Sequence, residues 1–506
     1  MKQKDIYTRL AVLFGIILLL NFLANRLFFR LDFTADKRYT LSSATLDILK
    51  QLKNPVTIKA YFSENLPPDI GTVRRDFQEQ LVEFEQRSKG KVVYEFVNPN
   101  ESEESEGKAQ QAGIQPVLVN IRERDQIKQQ RAYLGAVVSL GDGTEVIPVI
   151  RPGGAMEYAV ATAIKKLSVK NKPKVAILQG HGEPSLEAIM QAKQELDILY
   201  DIEALTLTDS TAIPQGKYKT LAIIAPKDSF PGFHLDQLDG FLKEGGNIFV
   251  ALNRVDGNLK TMMGEVKNIE IEKWLSKKGI VVEDNFLMDI KCGAVSVRQQ
   301  QGFLQFNTQV SFPYFPVVST FTDHPITKGL EGVFLPFASN ISITTNDSLV
   351  KIFPIAKTSK ESSLQKAPVY INVMQQWKKS DFAQSEIPVA VVATGQLAGN
   401  SGKKSKMVVV GDGDFAVNGE GDNRMQLQPD NVSLMVNSID WLSDDTGLID
   451  LRTKGVTSRP LETLEDGTKT MLKYTNLLAP IVLIILYGFV RYQRQAKKRQ
   501  QWLEER

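Results

Sequence analysis

Two short acidic turns hold the side chains of this sequence whose types and spacing are best suited to chemistry. One turn reads Gly-His-Gly-Glu-Pro at residues 180–184, and the other reads Gly-Asp-Gly-Asp at residues 411–414. Carboxylates and an imidazole that meet in one crevice can hold a hard cation or polarise a bound substrate. The turns therefore predict one candidate ligand crevice, formed by His181, Glu183, Asp412 and Asp414.

A structural interpretation of the same turns is the one we favour. Glycine permits the tight backbone of a turn, and Glu183 and both Asp side chains can cap helices or accept hydrogen bonds from nearby amides. Acidic turns this short also arise easily by chance. We therefore expect no metal ion and no other cofactor, and the ligand crevice remains the alternative.

The sequence offers few other routes to catalysis. It contains no G-x-x-x-x-G-K-[ST] segment, so it has no P-loop for a nucleotide. The single cysteine, Cys292, lies away from any predicted strand-to-helix turn, and no two histidines have the spacing of a zinc site. His234 and His324 are interpreted as loop or core residues. These observations argue against an enzyme.

The elements that must position the two turns are short apolar runs bounded by Gly or Pro. Such runs are typical of strands covered on both faces, as in a parallel sheet with helices between its strands. They predict strands at residues 174–179, 220–225, 247–252, 388–394 and 406–411. We predict one doubly wound α/β sheet from residues 169–255 and 386–452, interrupted by a mixed α/β insertion at 256–385. Both turns follow strands, so they lie at the edge where such sheets bind ligands.

The segment before this sheet predicts a smaller α/β domain over residues 30–168. Alternating residues at 56–62, a polar helix from about residue 72 to 88 and a run at 91–97 indicate a βαβ unit. An acidic loop at 100–107 and further strands follow. The expected shape is thioredoxin-like, but no C-x-x-C dithiol is present, so a redox role is set aside.

Both ends of the chain predict membrane helices, at residues 10–29 and 472–490. A cleaved signal peptide is the alternative for the first, but no small-x-small site ends that run. The basic residues that flank the two spans are Arg9, Arg26, Arg491, Arg494, Lys497, Lys498 and Arg499. The dense group after the second span favours a cytoplasmic tail at 491–506. Because a chain with two spans has both ends on the same side of the membrane, residues 1–9 are then expected in the cytoplasm as well. A linker at 453–471 joins the second span to the large extracytoplasmic part of the chain.

Size and charge narrow the classes of partner. The chain has 506 residues, which predicts two or three domains, and 61 Lys and Arg residues nearly balance 58 Asp and Glu residues. Because these charges nearly balance, the protein has no strong positive electrostatic field that would attract nucleic acid. A single cysteine excludes an internal disulfide.

Several stretches, taken in order, resemble the GldG family, the auxiliary component of bacterial ABC transport systems associated with gliding motility. The resemblance covers almost the whole chain, including both terminal helices. The stretches that carry it are residues 32–42 (DFTADKRYTLS), 180–183 (GHGE), 238–246 (LDGFLKEGG), 411–415 (GDGDF), 437–442 (NSIDWL) and 448–452 (LIDLR).

The resemblance implies an extracytoplasmic domain related to one in intraflagellar transport proteins, with a core similar to class I glutamine amidotransferases. Those enzymes use a cysteine nucleophile, which this chain lacks at the equivalent turn, so the resemblance implies a non-catalytic, substrate-binding subunit. It also implies a permease and an ATPase as partners, and a location in the bacterial inner membrane. A membrane-tethered hydrolase of an envelope polymer and a structural component of a motility apparatus remain the alternatives.

Overall fold

A computed structural model describes most of the chain outside its N-terminal segment. The residues described are 12–13, 15, 40–64, 66–123, 126–150, 156–168, 172–209, 212–301, 304–344, 349–399, 402–443 and 466–504. Two compact units are present, Met1–Val456 and Thr457–Arg506, and each is described by itself.

Within the described residues there are nine α-helices and twenty-four strands. The helices are α1 (Ser43–Gln51), α2 (Pro68–Arg87), α3 (Glu103–Gln111), α4 (Met156–Ser168), α5 (Met190–Leu196), α6 (Gly232–Lys243), α7 (Ile271–Lys277), α8 (Pro429–Ser443) and α9 (Asp466–Glu504). The strands are β1 (Val56–Phe62), β2 (Val92–Val97), β3 (Val117–Glu123), β4 (Gln126–Ala132), β5 (Leu134–Leu140), β6 (Gly143–Ile147), β7 (Lys174–Gln179), β8 (Asp201–Thr206), β9 (Tyr218–Ile224), β10 (Asn247–Ala251), β11 (Val255–Asn258), β12 (Met263–Val266), β13 (Ile280–Val282), β14 (Asn285–Asp289), β15 (Cys292–Gln301), β16 (Leu304–Val318), β17 (Thr320–Phe321), β18 (Val333–Phe334), β19 (Ile341–Ile343), β20 (Val350–Lys357), β21 (Ser362–Lys366), β22 (Val369–Tyr370), β23 (Pro388–Gly395) and β24 (Ser405–Val410). The chain is thus a mixed α/β protein, which confirms the predicted class.

The first module is a four-stranded sheet in the order β2-β1-β5-β6. Strands β1 and β2 are parallel and α2 connects them, which forms the βαβ unit that the sequence predicts. Helices α1, α2 and α4 contribute apolar side chains to the same core as the sheet. The acidic segment near residue 103 is not the expected loop, because Ser102 caps α3 by accepting the Ser105 N–H and acidic side chains favour a helix N-terminus.

The second module is built on an eight-stranded sheet in the order β17-β20-β23-β24-β10-β9-β7-β8. Strands β8, β7, β9, β10 and β24 are parallel, whereas β23 and β20 run antiparallel to their neighbours. Strand β8 lies on one side of β7 and every later parallel strand lies on the other. The strand order therefore reverses between β7 and β9, and a crevice forms at the carboxyl ends of the strands where such a reversal occurs.

Helices cover both faces of this sheet. Apolar residues of α5 and α8 pack on one face and those of α6 and α7 on the other. Strands β7, β9, β10 and β24 are apolar along nearly their whole length because both of their faces are buried.

The segment predicted as an insertion, residues 256–385, contributes to the main sheet as well as to small sheets. Strand β20 pairs with β23, and β17 pairs with β20, at the antiparallel edge of the main sheet. The remaining strands of the segment form small sheets, and several of these strands contribute to an aromatic core that includes Phe286, Phe312 and Tyr314. The boundaries drawn from the sequence stay a prediction.

The second unit contains α9, within which Gly467–Lys497 is long and apolar enough to cross a membrane. Its apolar side chains are exposed, for example Ile484 and Tyr487. Arg491, Arg494 and Lys497 lie in this segment, and Lys498 and Arg499 follow it in the same helix. The first predicted span, with Arg9 and Arg26, lies outside the described residues except for Val12, Leu13 and Gly15.

Candidate functional site

The first acidic turn closes β7 at the point where the strand order reverses. Gly180 and Gly182 both have left-handed backbone angles, with φ of 109° and 74°. A Cβ on Gly182 would lie 3.0 Å from Lys227 Cβ and from Asp228 Oδ2, so glycine is also needed for the close approach of the neighbouring loop. The turn places His181 under that loop, where its residue is only 3% exposed.

Backbone hydrogen bonds hold this turn in place. The His181 N–H donates to Glu183 Oε2 at 2.6 Å. The amides of Lys227 and Asp228, which follow β9, both donate to the His181 carbonyl oxygen at 2.8 Å. The turn after β7 and the loop after β9 are therefore hydrogen-bonded to each other at the place where the strand order reverses.

A second histidine, His234, lies next to this turn, although its sequence context indicated only a loop or core residue. His234 lies in the first turn of α6, and its Nδ1 is 2.8 Å from Nε2 of His181, with the two rings at 87°. The His181 ring also stacks on Phe230 with centroids 3.8 Å apart and planes within 5°. Because α6 follows β9, its N-terminus lies at the same edge as the end of β7; that topological argument is the signal that could have located His234.

Two carboxylates lie at the ends of the histidine pair. Oε1 of Glu183 is 3.3 Å from His181 Nδ1, and Oδ1 of Asp209 is 3.7 Å from His234 Nε2. The Glu183 side chain is fully buried, whereas the Asp209 side chain is 83% exposed. Burial lowers the pKa of His234, the charge of His181 lowers it further, and Asp209 only partly opposes both effects.

The second acidic turn closes β24 and uses its carboxylates differently. Asp412 is completely buried, and its Oδ1 accepts the Asp414 N–H at 2.8 Å. Burial raises the pKa of Asp412 well above its usual range, and the neighbouring Asp414 charge adds to this effect. Asp414 is exposed and accepts a hydrogen bond from Asn253 Nδ2 at 2.8 Å, while Asn253 Oδ1 accepts the Gly413 N–H.

The structure places the four predicted residues in two pairs at the same edge of the sheet. It brings His181 to Glu183 and Asp412 to Asp414, but β9 and β10 lie between β7 and β24. Three strand spacings correspond to about 14 Å. Over the described ranges, no group of three or more His, Cys, Asp or Glu side chains is arranged to hold a metal ion. Whether either turn binds a ligand stays a prediction.

The remaining candidates from the sequence lie elsewhere. His324 is at the opposite edge, next to Trp441, and burial lowers its pKa to about 4. Cys292 begins β15 in a small sheet, and burial raises the pKa of its thiol. Neither residue has the surroundings of a catalytic group.

The chain is similar to several known proteins. A model for a domain of unknown function matches residues 35–139. A protein of Borreliella burgdorferi, described only as uncharacterized, is 22% identical over 494 residues, which cover 93% of this chain and 94% of the relative.

Solved structures resemble parts of the fold only distantly. The mmIFT52 N-terminal domain is 15% identical with a TM-score of 0.36, covering 53% of this chain and 97% of that domain. A ThuA-like protein from Parabacteroides merdae is 9% identical with a TM-score of 0.29, over 54% and 91% of the two chains. PurLQS from Thermotoga maritima is 9% identical with a TM-score of 0.27, over 54% and 99%. Scores this low carry no argument about function.

The match that covers the central sheet is to a family of transport proteins. The model described as "ABC-type uncharacterized transport system" matches residues 172–442, which is more than half of the chain and includes both acidic turns and the histidine pair. The chain therefore belongs to this family, and it is an auxiliary component of an ABC-type transport system.

Proposed function

We propose that this chain is a non-catalytic, membrane-anchored subunit that binds a substrate, an envelope component or another protein for a permease and an ATPase. The family match over residues 172–442 is the observation that carries the proposal. The matched segment contains the central sheet, and the histidine pair lies at the edge of that sheet where ligands bind in related topologies. A link to gliding motility belongs to this proposal through the resemblance to the GldG family.

The partners follow from what an ABC transport system needs. The sequence contains no P-loop, so ATP hydrolysis requires another chain. Purification of the tagged full-length protein in mild detergent should recover a polytopic permease and a P-loop ATPase. An unrelated two-span membrane protein expressed at the same level is the control. Recovery of neither partner, under conditions that preserve known ABC transporters, would contradict the proposal.

The proposed location is the bacterial inner membrane, with both termini cytoplasmic and residues 30–471 outside the cytoplasm. Support comes from the apolar segment of α9 and the basic residues that end it, because basic residues concentrate on the cytoplasmic side of membrane spans. The two-span arrangement rests on the sequence of residues 10–29.

Labelling of single cysteines tests this topology. Cys292 is first replaced by serine, and cysteine is then introduced at Lys403, which is 70% exposed, or at Gln493 in α9. A membrane-impermeant maleimide should label K403C in intact spheroplasts and Q493C only after permeabilisation. The reverse pattern would exclude the proposed orientation.

The alternative of a membrane-tethered hydrolase loses support from the geometry. That alternative needs His181, Glu183, Asp412 and Asp414 to act together, but the two turns lie three strands apart in the sheet. The combined variant H181N/E183Q/D412N/D414N tests it. A hydrolase would lose activity on envelope polymer with its unfolding temperature unchanged, and an unchanged envelope would discard this function.

A further inference from the structure

We infer that the basic end of helix α9, with Arg491, Arg494 and Lys497, is a binding surface for the headgroups of anionic phospholipids. This surface requires that α9 spans the membrane, so it rests on the location given in the proposed function. It is separate from the candidate site at the sheet edge, because its ligand is a membrane lipid rather than a transported substrate.

The apolar part of α9 ends at Val490. Residues 474–490 include no Asp, Glu, Lys or Arg, and at 1.5 Å per residue this run is about 26 Å long. A bilayer core is about 30 Å thick, so Arg491 lies close to the boundary between acyl chains and headgroups when the run spans it. Tyr487 and Tyr492, on either side of that point, are exposed, and tyrosine is enriched at the headgroup level. Both features place the boundary near Val490.

Cationic side chains follow at heights that match the headgroup layer. That layer is about 5 to 8 Å thick on each side of the core. Along the helix axis, Arg491 lies about 2 Å beyond Val490, Arg494 about 6 Å and Lys497 about 10 Å. Side chains of a helix lean toward its N-terminus, which here means back toward the bilayer. The long side chains of Arg494 and Lys497 can therefore reach the headgroups.

No acidic residue of the helix neutralises these cations. Between Asp466 and Glu504, α9 contains no Asp or Glu, so the three cations have no acidic neighbour three or four residues away. All three side chains are exposed. Other helices of the chain do supply such a neighbour, for example where Lys108 pairs with Glu104. The end of α9 thus leaves its positive charge to an anion outside the helix.

The phosphate of a lipid headgroup is the anion available at this depth. A guanidinium group binds phosphate oxygens through two parallel hydrogen bonds. Anionic lipids also attract basic residues that directly follow a membrane span, over about one Debye length. An acidic protein is the other source of negative charge, but it would have to displace the lipids that surround Arg491 and Arg494 at the boundary. The geometry therefore favours lipid over protein.

Spin-labelled lipids can measure this binding in the full-length protein. The protein is reconstituted in phosphatidylcholine bilayers with a trace of spin-labelled phosphatidylglycerol or spin-labelled phosphatidylcholine. Electron paramagnetic resonance then gives the ratio of the two association constants. We expect a ratio of about 3 or more at about 0.1 M salt, falling toward 1 at about 1 M salt, where charges are screened within about 3 Å. A ratio of 1 at low salt would overturn the inference.

Two double variants, which each remove two charges, locate the surface on α9. R491Q/R494Q removes the cations nearest to the headgroups and should lower the ratio by about twofold or more. The matched variant K498Q/R499Q removes charges about 12 to 14 Å beyond Val490 and should lower it less. Equal effects would indicate a diffuse attraction without headgroup contact and would overturn the inference. No effect of R491Q/R494Q would do the same, and would leave an acidic protein as the partner of these side chains.

Inorganic phosphate distinguishes a lipid site from a site for a soluble anion. Replacement of chloride by phosphate at equal ionic strength should leave the ratio unchanged, and a ratio reduced to 1 would overturn the inference. If no lipid became motionally restricted by the protein, the proposed membrane location would fall as well. The measurement needs neither a permease nor an ATPase, so a failure of the partner purification is distinguishable from a failure here.

Discussion

The two acidic turns have nearly the same local sequence, yet they differ in what surrounds their side chains. Gly-His-Gly-Glu after β7 lies at the strand-order reversal, where the loop after β9 and helix α6 both contact it. Gly-Asp-Gly-Asp after β24 is flanked on one side by β10 and on the other by antiparallel β23. There the Asp412 carboxylate bonds to the backbone of its own turn. Position in the sheet, more than turn sequence, therefore decides which turn assembles the candidate site.

The largest expected effect concerns how tightly each turn packs. A Cβ at Gly413 would lie 2.7 Å from Ala225 Cα, which is backbone and cannot yield, so G413A should cost about 3 kcal/mol of unfolding free energy. G182A meets side-chain atoms at 3.0 Å and a φ of 74°, which together cost about 1.5 kcal/mol. Thermal unfolding of the full-length variants measures both.

The control for this pair is G240A in α6, where a Cβ has nothing within 4 Å. Alanine favours a helix, so this variant should be at least as stable as the wild type. If G182A were more damaging than G413A, the β24 turn would not be the more closely packed of the two.

The next effect is the response of the β24 turn to pH. The folded pKa of Asp412 is raised, so its protonated form contributes stability that is present below the unfolded value of about 4 and is lost as pH rises. D412N mimics the neutral acid and should not show this loss. The difference in unfolding temperature, variant minus wild type, should therefore increase from pH 5 to pH 8. A constant difference would mean that Asp412 is ionised in the folded protein.

The β7 turn should respond to pH in the opposite direction. The folded pKa of His234 is lowered, so its contribution to stability is present above the unfolded value of about 6.5 and is lost as pH falls. H234N cannot take up a proton there, and its unfolding temperature should fall less than that of the wild type between pH 7 and pH 5. The same slope in both proteins would show that folding does not lower the pKa of His234.

The smallest effect is expected at the exposed carboxylate of the β24 turn. Asp414 bonds to Asn253 but is open to water, so D414N should change the unfolding free energy by less than about 1 kcal/mol. Thermal unfolding of D414N beside D412N measures the contrast. A large loss in D414N would indicate that this turn, rather than the β7 turn, depends on an exposed charge.

Strands with both faces buried could be predicted from the sequence, because β7, β9, β10 and β24 are short apolar runs with Gly or Pro at their ends. Strand β8 was not predicted, since its buried and exposed residues alternate at the sheet edge. The pairing of β20 with β23 was also missed, because pairing across a long separation leaves no local signal.

Half of the candidate site could be predicted from local sequence, as the buried strands could. The turn that carries His181 and Glu183 is visible as a motif, whereas His234 is 53 residues away and becomes a neighbour only through the strand order. The separation of Asp412 from His181 has the same origin, because it depends on how many strands intervene.

The length of α9 has a mechanical consequence. The helix runs from Asp466 to Glu504 without a break, which at 1.5 Å per residue is about 58 Å, whereas a bilayer core is about 30 Å thick. As a membrane span, it would continue as a rigid rod for roughly 20 Å past the lipid. Tilting such a rod by about 20° moves its far end sideways by about 7 Å. A small change of tilt within the bilayer would therefore produce a large displacement at any protein bound to that end.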